Sequence, residues 1–423
     1  MALESKRNIA KYIIAFGGVQ GLSIIVGVVR NKVIAVLLGP NGMGILSLYN
    51  SAMGMLQNLT NMGIDKTCVP LLGKAFERGD SKEIDESIKQ VRSLFAMTAM
   101  MSFVVGVLLS WMLSIIAFGD VSRTLHFMFL SMVPPLAIIA MGEVTVLKVM
   151  RRLKSVAMQS VWTMLLSLAF TIPMYYEFRE HAILPSLLVI GIAQMLTAII
   201  YSYRRYPLRL SINSATFHRS KPLLRMGILF VIAGSMTSAS EFLVRAYLNN
   251  AAGDKVVGLY NTACIMALTY GGMLFASIDS EYYPRLSQIP GSDITMLKAT
   301  IRRQIVMSLV FIIPMIVVME VLLPWIVPLL FNSNFVDAVP ATQIMLLALL
   351  FRAIYLPIGY IPLVRSDSRT FVKTESLSAI NMFFGVTLGY HYGGLTGSAM
   401  GMVLSHALDV VSYVLIIGRK YLK

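Results

Sequence analysis

The sequence predicts an all-α integral membrane protein, with twelve transmembrane helices in two six-helix lobes related by a pseudo-two-fold axis along the membrane normal. Three observations carry that prediction. Of 423 residues, 57% are hydrophobic and 13% charged, against about 45–50% apolar and about 25% charged in soluble domains. The apolar residues gather into runs of about twenty, the length that crosses a hydrocarbon core. Finally, one stretch is partly repeated half a chain later. Leu48-Tyr49-Asn50-Ser51-Ala52 returns as Leu259-Tyr260-Asn261-Thr262-Ala263, and Ile64-Asp65 with Pro70 and Leu72 returns as Ile278-Asp279 with Pro284 and Leu286, at offsets of 211 and 214.

Taken in order, the predicted spans of the first half are Tyr12–Leu38, Gly44–Ile64, Val91–Phe118, Phe127–Leu147, Val156–Tyr175 and Ile183–Tyr201. Those of the second half are Met226–Leu248, Val257–Ile278, Ile305–Leu330, Ala341–Val364, Leu377–Tyr390 and Leu395–Ile417. The first two form a hairpin through Gly39-Pro40-Asn41-Gly42, read as a turn with no helix-forming residue in it. The gap after the second span opens with an amphipathic piece carrying Leu71, Leu72, Ala75 and Phe76, read as an interfacial elbow. It restarts a helix at Asp80-x-x-Glu83, which has the form of a capping box. The lobes are residues 1–201 and 226–423, joined by a basic linker over 202–225.

The net charge of +15 could suggest nucleic acid, but the placement of the basic residues excludes it. Of 36 lysines and arginines, 29 fall at the termini and in every second gap, with Arg92 at the lip of the third span counted in its gap, three fall in the alternate gaps, and four lie deeper inside spans. That is the positive-inside pattern, and it predicts both termini in the cytoplasm. The N-terminal run is far longer than the apolar region of a cleaved signal peptide and carries Arg30. Cys68 and Cys264 fall near opposite membrane faces in this topology and do not suggest a disulfide.

Ionisable residues within spans are the candidates for function, because each is costly there without a partner or a watery cavity. Arg30 is read as facing a cavity and holding an anion. Lys32, about 200° round the helix from it, is read as snorkelling to the interface. Glu241 and Arg245 are spaced for an intrahelical pair, with a site role open beside it. Arg352 stands mid-span and is read as cavity-facing or paired. Glu143, Glu320 and Asp409 join Glu241 as counter-ions to these arginines or as coupling sites for H⁺ or Na⁺. Ser47, Asn50, Gly54, Asn58 and Asn61 form a polar stripe on the second span, echoed by Asn261, Thr269 and Gly272 on the eighth, which predicts a shared polar cavity. A polar-faced helix hairpin used twice points to a transporter. The five histidines lack metal-ligand spacing and no phosphate-binding G-x-x-x-x-G-K-[ST] is present, so neither a metal nor a cofactor is expected.

The run Arg30-Asn31-Lys32-Val33-Ile34-Ala35-Val36-Leu37-Leu38-Gly39-Pro40-Asn41-Gly42-Met43-Gly44-Ile45, followed by Leu48-Tyr49-Asn50-Ser51, resembles the opening of Wzx-type O-antigen translocases. These share a superfamily with MATE exporters and lipid II flippases. The resemblance is sharpest over about forty residues, and twelve spans in two lobes suit the MATE-like fold end to end. It implies a flippase of the bacterial inner membrane, not an enzyme. Its implied cargo is an undecaprenyl-pyrophosphate-linked oligosaccharide for lipopolysaccharide biosynthesis. Membrane lipids, a polysaccharide polymerase and a chain-length regulator are its implied partners. The family's cavity arginine corresponds to Arg30, and Asn31 stands where lipid II flippases commonly carry an aspartate. The implied pyrophosphate and cavity set is Arg30, Arg245 and Arg352 with Asn50, Asn58, Asn61 and Asn261. The competing readings are a MATE-like multidrug or cation antiporter, and a membrane-bound polysaccharide polymerase or ligase, for which the outer loops are too short.

Overall fold

The computed structural model describes residues 2–204, 206–207, 214–291 and 293–422, with side chains from residue 25 onward except 66, 214–230 and 276–280. Most of the predicted linker 202–225, with Arg205, Arg209, Arg219, Lys221 and Arg225, therefore lies outside the described residues or side chains, as do the side chains of the repeated Ile278-Asp279. Every described element is a helix. Seven of them are long and apolar enough to cross a membrane, or eight if a bent pair counts as one span.

The chain divides into two compact units. The first comprises Met1–Leu38, Met53–Ile115 and Asp120–Val231; the second comprises Gly39–Ala52, Ile116–Gly119 and Ile232–Lys423. The helices, in chain order, are α1 (Ala2–Thr60), α2 (Ile64–Arg78), α3 (Ser81–Phe118), α4 (Thr124–Leu130), α5 (Val133–Val149), α6 (Leu153–Phe178) and α7 (Ile183–Tyr203). They continue with α8 (Ser214–Ala252), α9 (Asp254–Cys264), α10 (Met273–Ser287), α11 (Ile294–Leu330), α12 (Val339–Leu346), α13 (Ala348–Val364) and α14 (Ser368–Tyr413).

The predicted turn at residues 39–42 is a single-residue break. Gly39 alone leaves helical geometry, at φ 63° and ψ −170°, a conformation open to a residue without Cβ. Pro40 then re-enters the helix at once, its fixed φ suiting a first helical position. One glycine does what the sequence assigned to four residues.

In the first unit, α2 is the amphipathic piece after the second predicted span. Its Ile64, Cys68 and Leu72 are fully buried against Val91, Leu94 and Phe95 of α3 and Ile138 and Val146 of α5. The apolar face thus meets protein, not the membrane interface. At the start of α3, Asp80 Oδ1 accepts from the Lys82 amide at 3.0 Å, whereas Glu83 turns to Arg78 at 2.7 Å, so a simple N-cap bond forms in place of the capping box.

In the second unit, the segment Pro40–Ala52 of α1 packs on α9 with main chain against main chain. A Cβ on Gly44 would stand 1.9 Å from the Asp254 carbonyl oxygen, and one on Gly258 would stand 1.9 Å from that of Pro40. The short piece Ile116–Gly119 is held by α8: the Asn249 and Asn250 amides donate to the carbonyls of Ala117 and Ile116 at 3.0 and 2.8 Å. These last-turn carbonyls of α3 have no intrahelical donor. The Tyr49 and Phe118 rings close the corner at 5.7 Å. Helix α14 breaks at Gly393 and Gly394, and its two parts pack through glycines, a Cβ on Gly401 falling 1.8 Å from the Gly385 oxygen.

Candidate functional site

In the first unit, Arg30 stands on α1 before the Gly39 break. Its Nε is buried with no hydrogen-bond partner among the described residues, and Tyr175 of α6 is its electrostatic neighbour. That phenol is shared with Ser186 of α7 at 2.5 Å. A guanidinium carries five N–H donors, and this one has an acceptor still to find among the described residues. Lys32 is exposed.

Glu143 has a different situation. It is 3% exposed and meets Arg92 of α3 through three contacts: Arg92 Nε donates to both carboxylate oxygens at 2.9 and 3.1 Å, and Nη2 to Oε2 at 2.9 Å. Nη2 also donates to Ser202 at 3.0 Å and Nη1 to the Pro207 carbonyl at 2.9 Å, while the Tyr203 ring stacks 4.5 Å from the guanidinium carbon. Glu143 is therefore the counter-ion of Arg92, not of an arginine in the predicted cavity set. Asn61 lies just past the end of α1, where its amide donates to Asp65 at 3.0 Å. Asn58 is exposed.

In the second unit, Arg245 of α8 meets both repeated helices. Its Nε donates to Ser47 at 2.9 Å, and Ser47 donates to Asn261 of α9 at 2.8 Å. Its Nη1 donates to the Glu241 carbonyl at 2.9 Å, and the Glu241 carboxylate stands 3.8 Å away, with 48% of that side chain exposed against 13% for Arg245. The pair is loose, and a face of the guanidinium is left for another acceptor. Asn50 on the same helix as Ser47 is exposed.

Arg352 of α13 is half-buried over the Phe275 ring, 5.3 Å from its centre, with no carboxylate partner among the described residues. Tyr355, one turn on, is an electrostatic neighbour of both Arg352 and Asp409. Asp409 is fully buried and accepts from Ser378 at 2.6 Å and Asn381 at 2.9 Å. His406, one turn before it, lies 3.7 Å from the carboxylate and stacks edge-on against Tyr355 at 5.7 Å. Glu320 is partly exposed on α11, its carbonyl accepting from Gln343 at 3.0 Å.

Thus Arg245, Glu241, Asn261 and the stripe residue Ser47 come together. Arg352 and Asp409 approach through Tyr355, and Glu143 is engaged elsewhere. Sequence reasoning missed Arg92 and His406. The i, i+3 spacing of His406 and Asp409 was a usable signal for the second. None joined Arg92 to Glu143, 51 residues away. Among the described residues, no group of three or more His, Cys, Asp or Glu side chains is placed to hold a metal.

A family model described as polysaccharide biosynthesis protein matches residues 9–290. The chain belongs to this family of Wzx-like flippases. It is a multi-pass membrane protein, and both the family and the similar solved structures are of transporters. An inward-facing multidrug resistance MATE transporter of the MOP superfamily is 13% identical, with 94% of each chain covered and a TM-score of 0.70. The MATE multidrug transporter DinF-BH is 15% identical, covering 98% of this chain and 94% of its own at a TM-score of 0.66. A MOP superfamily transporter from Pyrococcus furiosus, whose reverse-polarity binding pocket suggests a different function, is 12% identical over 97% of this chain and 95% of its own, at a TM-score of 0.61. Likeness at this level fixes the fold as MATE-like. No curated protein sequence matches the chain.

Proposed function

We propose that this Wzx-like protein flips an undecaprenyl-pyrophosphate-linked oligosaccharide of the O-antigen type from the cytoplasmic to the periplasmic leaflet of the bacterial inner membrane. The single observation that carries this reading is the buried, unspent Nε of Arg30 in a family of polysaccharide flippases. A pyrophosphate leaving water needs fixed cations, and guanidinium meets phosphate oxygens bidentately. Arg245 and Arg352 of the second unit, with no carboxylate nearer than 3.8 Å among the described residues, are the further cations proposed to serve the cargo. Asn50, Asn58 and Asn261 offer amides to sugar hydroxyls, the Asn61 amide being engaged by Asp65. Twelve spans in two six-helix lobes, with both termini cytoplasmic and rocking to give alternating access, complete the proposal. The driving force is an H⁺ or Na⁺ gradient, Asp409, Glu241 and Glu320 being the acids open to it. Glycan synthesis and polymerisation by partner enzymes lie on either side of the transport step.

A cation exporter of the same fold would want acids dominating the cavity, where this chain has arginines. The reverse-polarity pocket named for the Pyrococcus furiosus transporter is a precedent within the fold for that difference. The test is export of surface polysaccharide in a deletion strain complemented with Arg30→Ala, measured against the membrane abundance of the variant. Lost export at normal abundance is the expected result, with Arg30→Lys recovering only part, since lysine keeps the charge but not the planar fork. Normal export by Arg30→Ala at equal abundance would remove Arg30 from the site.

A further inference from the structure

Helix α11 carries a feature that the proposed function does not draw on. From Val306 to Leu329 its outer face is apolar and open: Val306, Val310, Ile313, Val317, Val321 and Leu329 are all between 48% and 64% exposed. That face runs roughly 35 Å at 1.5 Å per residue, a little more than the ~30 Å hydrocarbon core of a bilayer. Trp325, 66% exposed, marks one end, as an interfacial aromatic does. At the other end, one turn before Val306, Arg302 and Arg303 stand side by side and exposed. Counting along the helix from Trp325 sets them at the depth of the opposite leaflet's phosphates.

Neither arginine has a hydrogen bond or ion pair among the described residues. The other charges at this end of α11 are Lys298, also exposed and positive, and Asp293, which caps the helix through the Met296 amide at 2.8 Å nine residues before Arg302. Beside the two arginines is an open cleft of about 560 Å³, bounded by Ala299, Arg302, Arg303, Val306, Met307 and Val310. The small Ala299 leaves the notch on the polar side and the valines wall the apolar side. A bare anion would not fill that space, given a water's share of ~30 Å³. A headgroup with the first methylenes of its chains would.

We infer that Arg302 and Arg303 form a binding site for one anionic phospholipid, its phosphate diester on the two guanidiniums and an acyl chain along Val306 and Val310. Charge complementarity selects the lipid class. Two uncompensated cations favour phosphatidylglycerol over a zwitterionic lipid, each basic residue near an anionic surface strengthening binding about fivefold. The site is independent of the flippase reading, so its failure would leave that reading untouched.

The experiment is native mass spectrometry of the delipidated full-length protein, titrated with phosphatidylglycerol or phosphatidylcholine. The wild-type protein is expected to retain phosphatidylglycerol in preference. Arg302→Gln/Arg303→Gln should weaken that retention about thirtyfold and leave phosphatidylcholine unchanged. Arg151→Gln/Arg152→Gln, which removes two other exposed arginines, should change neither. Both pairs are solvent-facing, so unchanged melting temperatures are expected. Should the double variant melt early, Arg303→Gln alone is read instead, with the same expected direction. Equal retention of the two lipids, or an equal loss in the Arg151/Arg152 control, would overturn the site in favour of bulk attraction. Displacement of the lipid by millimolar inorganic phosphate would overturn it in favour of a free-anion site.

Discussion

Two of the arginine–glutamate pairs in this chain, one in each compact unit, differ in almost everything but composition. Arg92 and Glu143 are joined by three short contacts, their side chains 3% and 4% exposed. Every guanidinium nitrogen of Arg92 has an acceptor, the last of them supplied by Ser202 and Pro207. Arg245 and Glu241 stand 3.8 Å apart with the acid half exposed, and Arg245 leans on a serine hydroxyl and a carbonyl. A saturated buried pair is a fixture: its desolvation cost is offset only if nothing is left unpaired. An unsaturated arginine keeps its capacity to bind, and it is this kind, with Arg30 and Arg352, that the proposed anionic cargo would use.

The largest expected effect comes from breaking the saturated pair. Glu143→Gln leaves Arg92 charged and buried, which should destabilise the protein by about 3–5 kcal/mol and deplete it from the membrane. Denaturation of the detergent-purified variant measures this directly. Arg92→Met combined with Glu143→Leu should recover most of the loss, the double-mutant cycle exposing the coupling. Stability unchanged in Glu143→Gln would mean that the pair is a bystander.

The loose pair should behave in the opposite way. Arg245→Ala is expected to cut polysaccharide export several-fold while membrane abundance stays near normal. Glu241→Gln, removing a half-exposed partner, should cost no more than about 1 kcal/mol and leave export largely intact. If Glu241→Gln abolishes export instead, the acid is a coupling site and the contrast between the two pairs needs a third category.

The smallest effect is expected where an ion pair sits at the edge of the second unit. Asp367, the residue capping α14, accepts from the Thr370 amide at 3.2 Å and the Tyr421 hydroxyl at 2.6 Å, and pairs with Lys420. Desolvation would raise its carboxyl, but hydrogen bonds from Lys420, Thr370 and Tyr421 outweigh it and hold the group well below the usual carboxylate range. A depressed folded-state value means stability that is full above the unfolded value of about 3.9 and is lost as pH falls below it. With Lys420 half exposed, the contribution is on the order of 1 kcal/mol. Unfolding measured from pH 7 to pH 3 should show a small acid-dependent loss that Asp367→Asn lacks; equal pH profiles would assign the loss to other acids.

This contrast also shows what a sequence can reveal. The membrane class, the apolar runs and the doubled hairpin are local or periodic, so they could be read directly. The intrahelical spacing of Glu241 and Arg245 was legible for the same reason. The partner of Glu143 was not, because Arg92 sits at the lip of its apolar run and reads as one more basic residue in a cytoplasmic gap. Only the packing of α3 on α5 brings the two together. Ser47 was visible as part of a polar stripe, but not as the donor that ties Arg245 to Asn261. The stripe itself divides: Ser47 is buried in that network, Asn50 and Asn58 are exposed, and Asn61 leaves the helix to bond Asp65. Periodicity places residues on a face; it does not say how much of the face is covered.

The contact of Gly44 with Asp254 and Gly258 has a mechanical consequence. Helices that interlock through large side chains mesh like gears, and turning one past another means forcing knobs out of holes. Here two smooth cylinders touch, and a methyl group added to either glycine would act as a wedge. Such a joint is expected to hold its separation tightly and to resist turning less than one meshed through large side chains. The Ser47–Asn261 hydrogen bond, worth about 1 kcal/mol net, is the pin that indexes it.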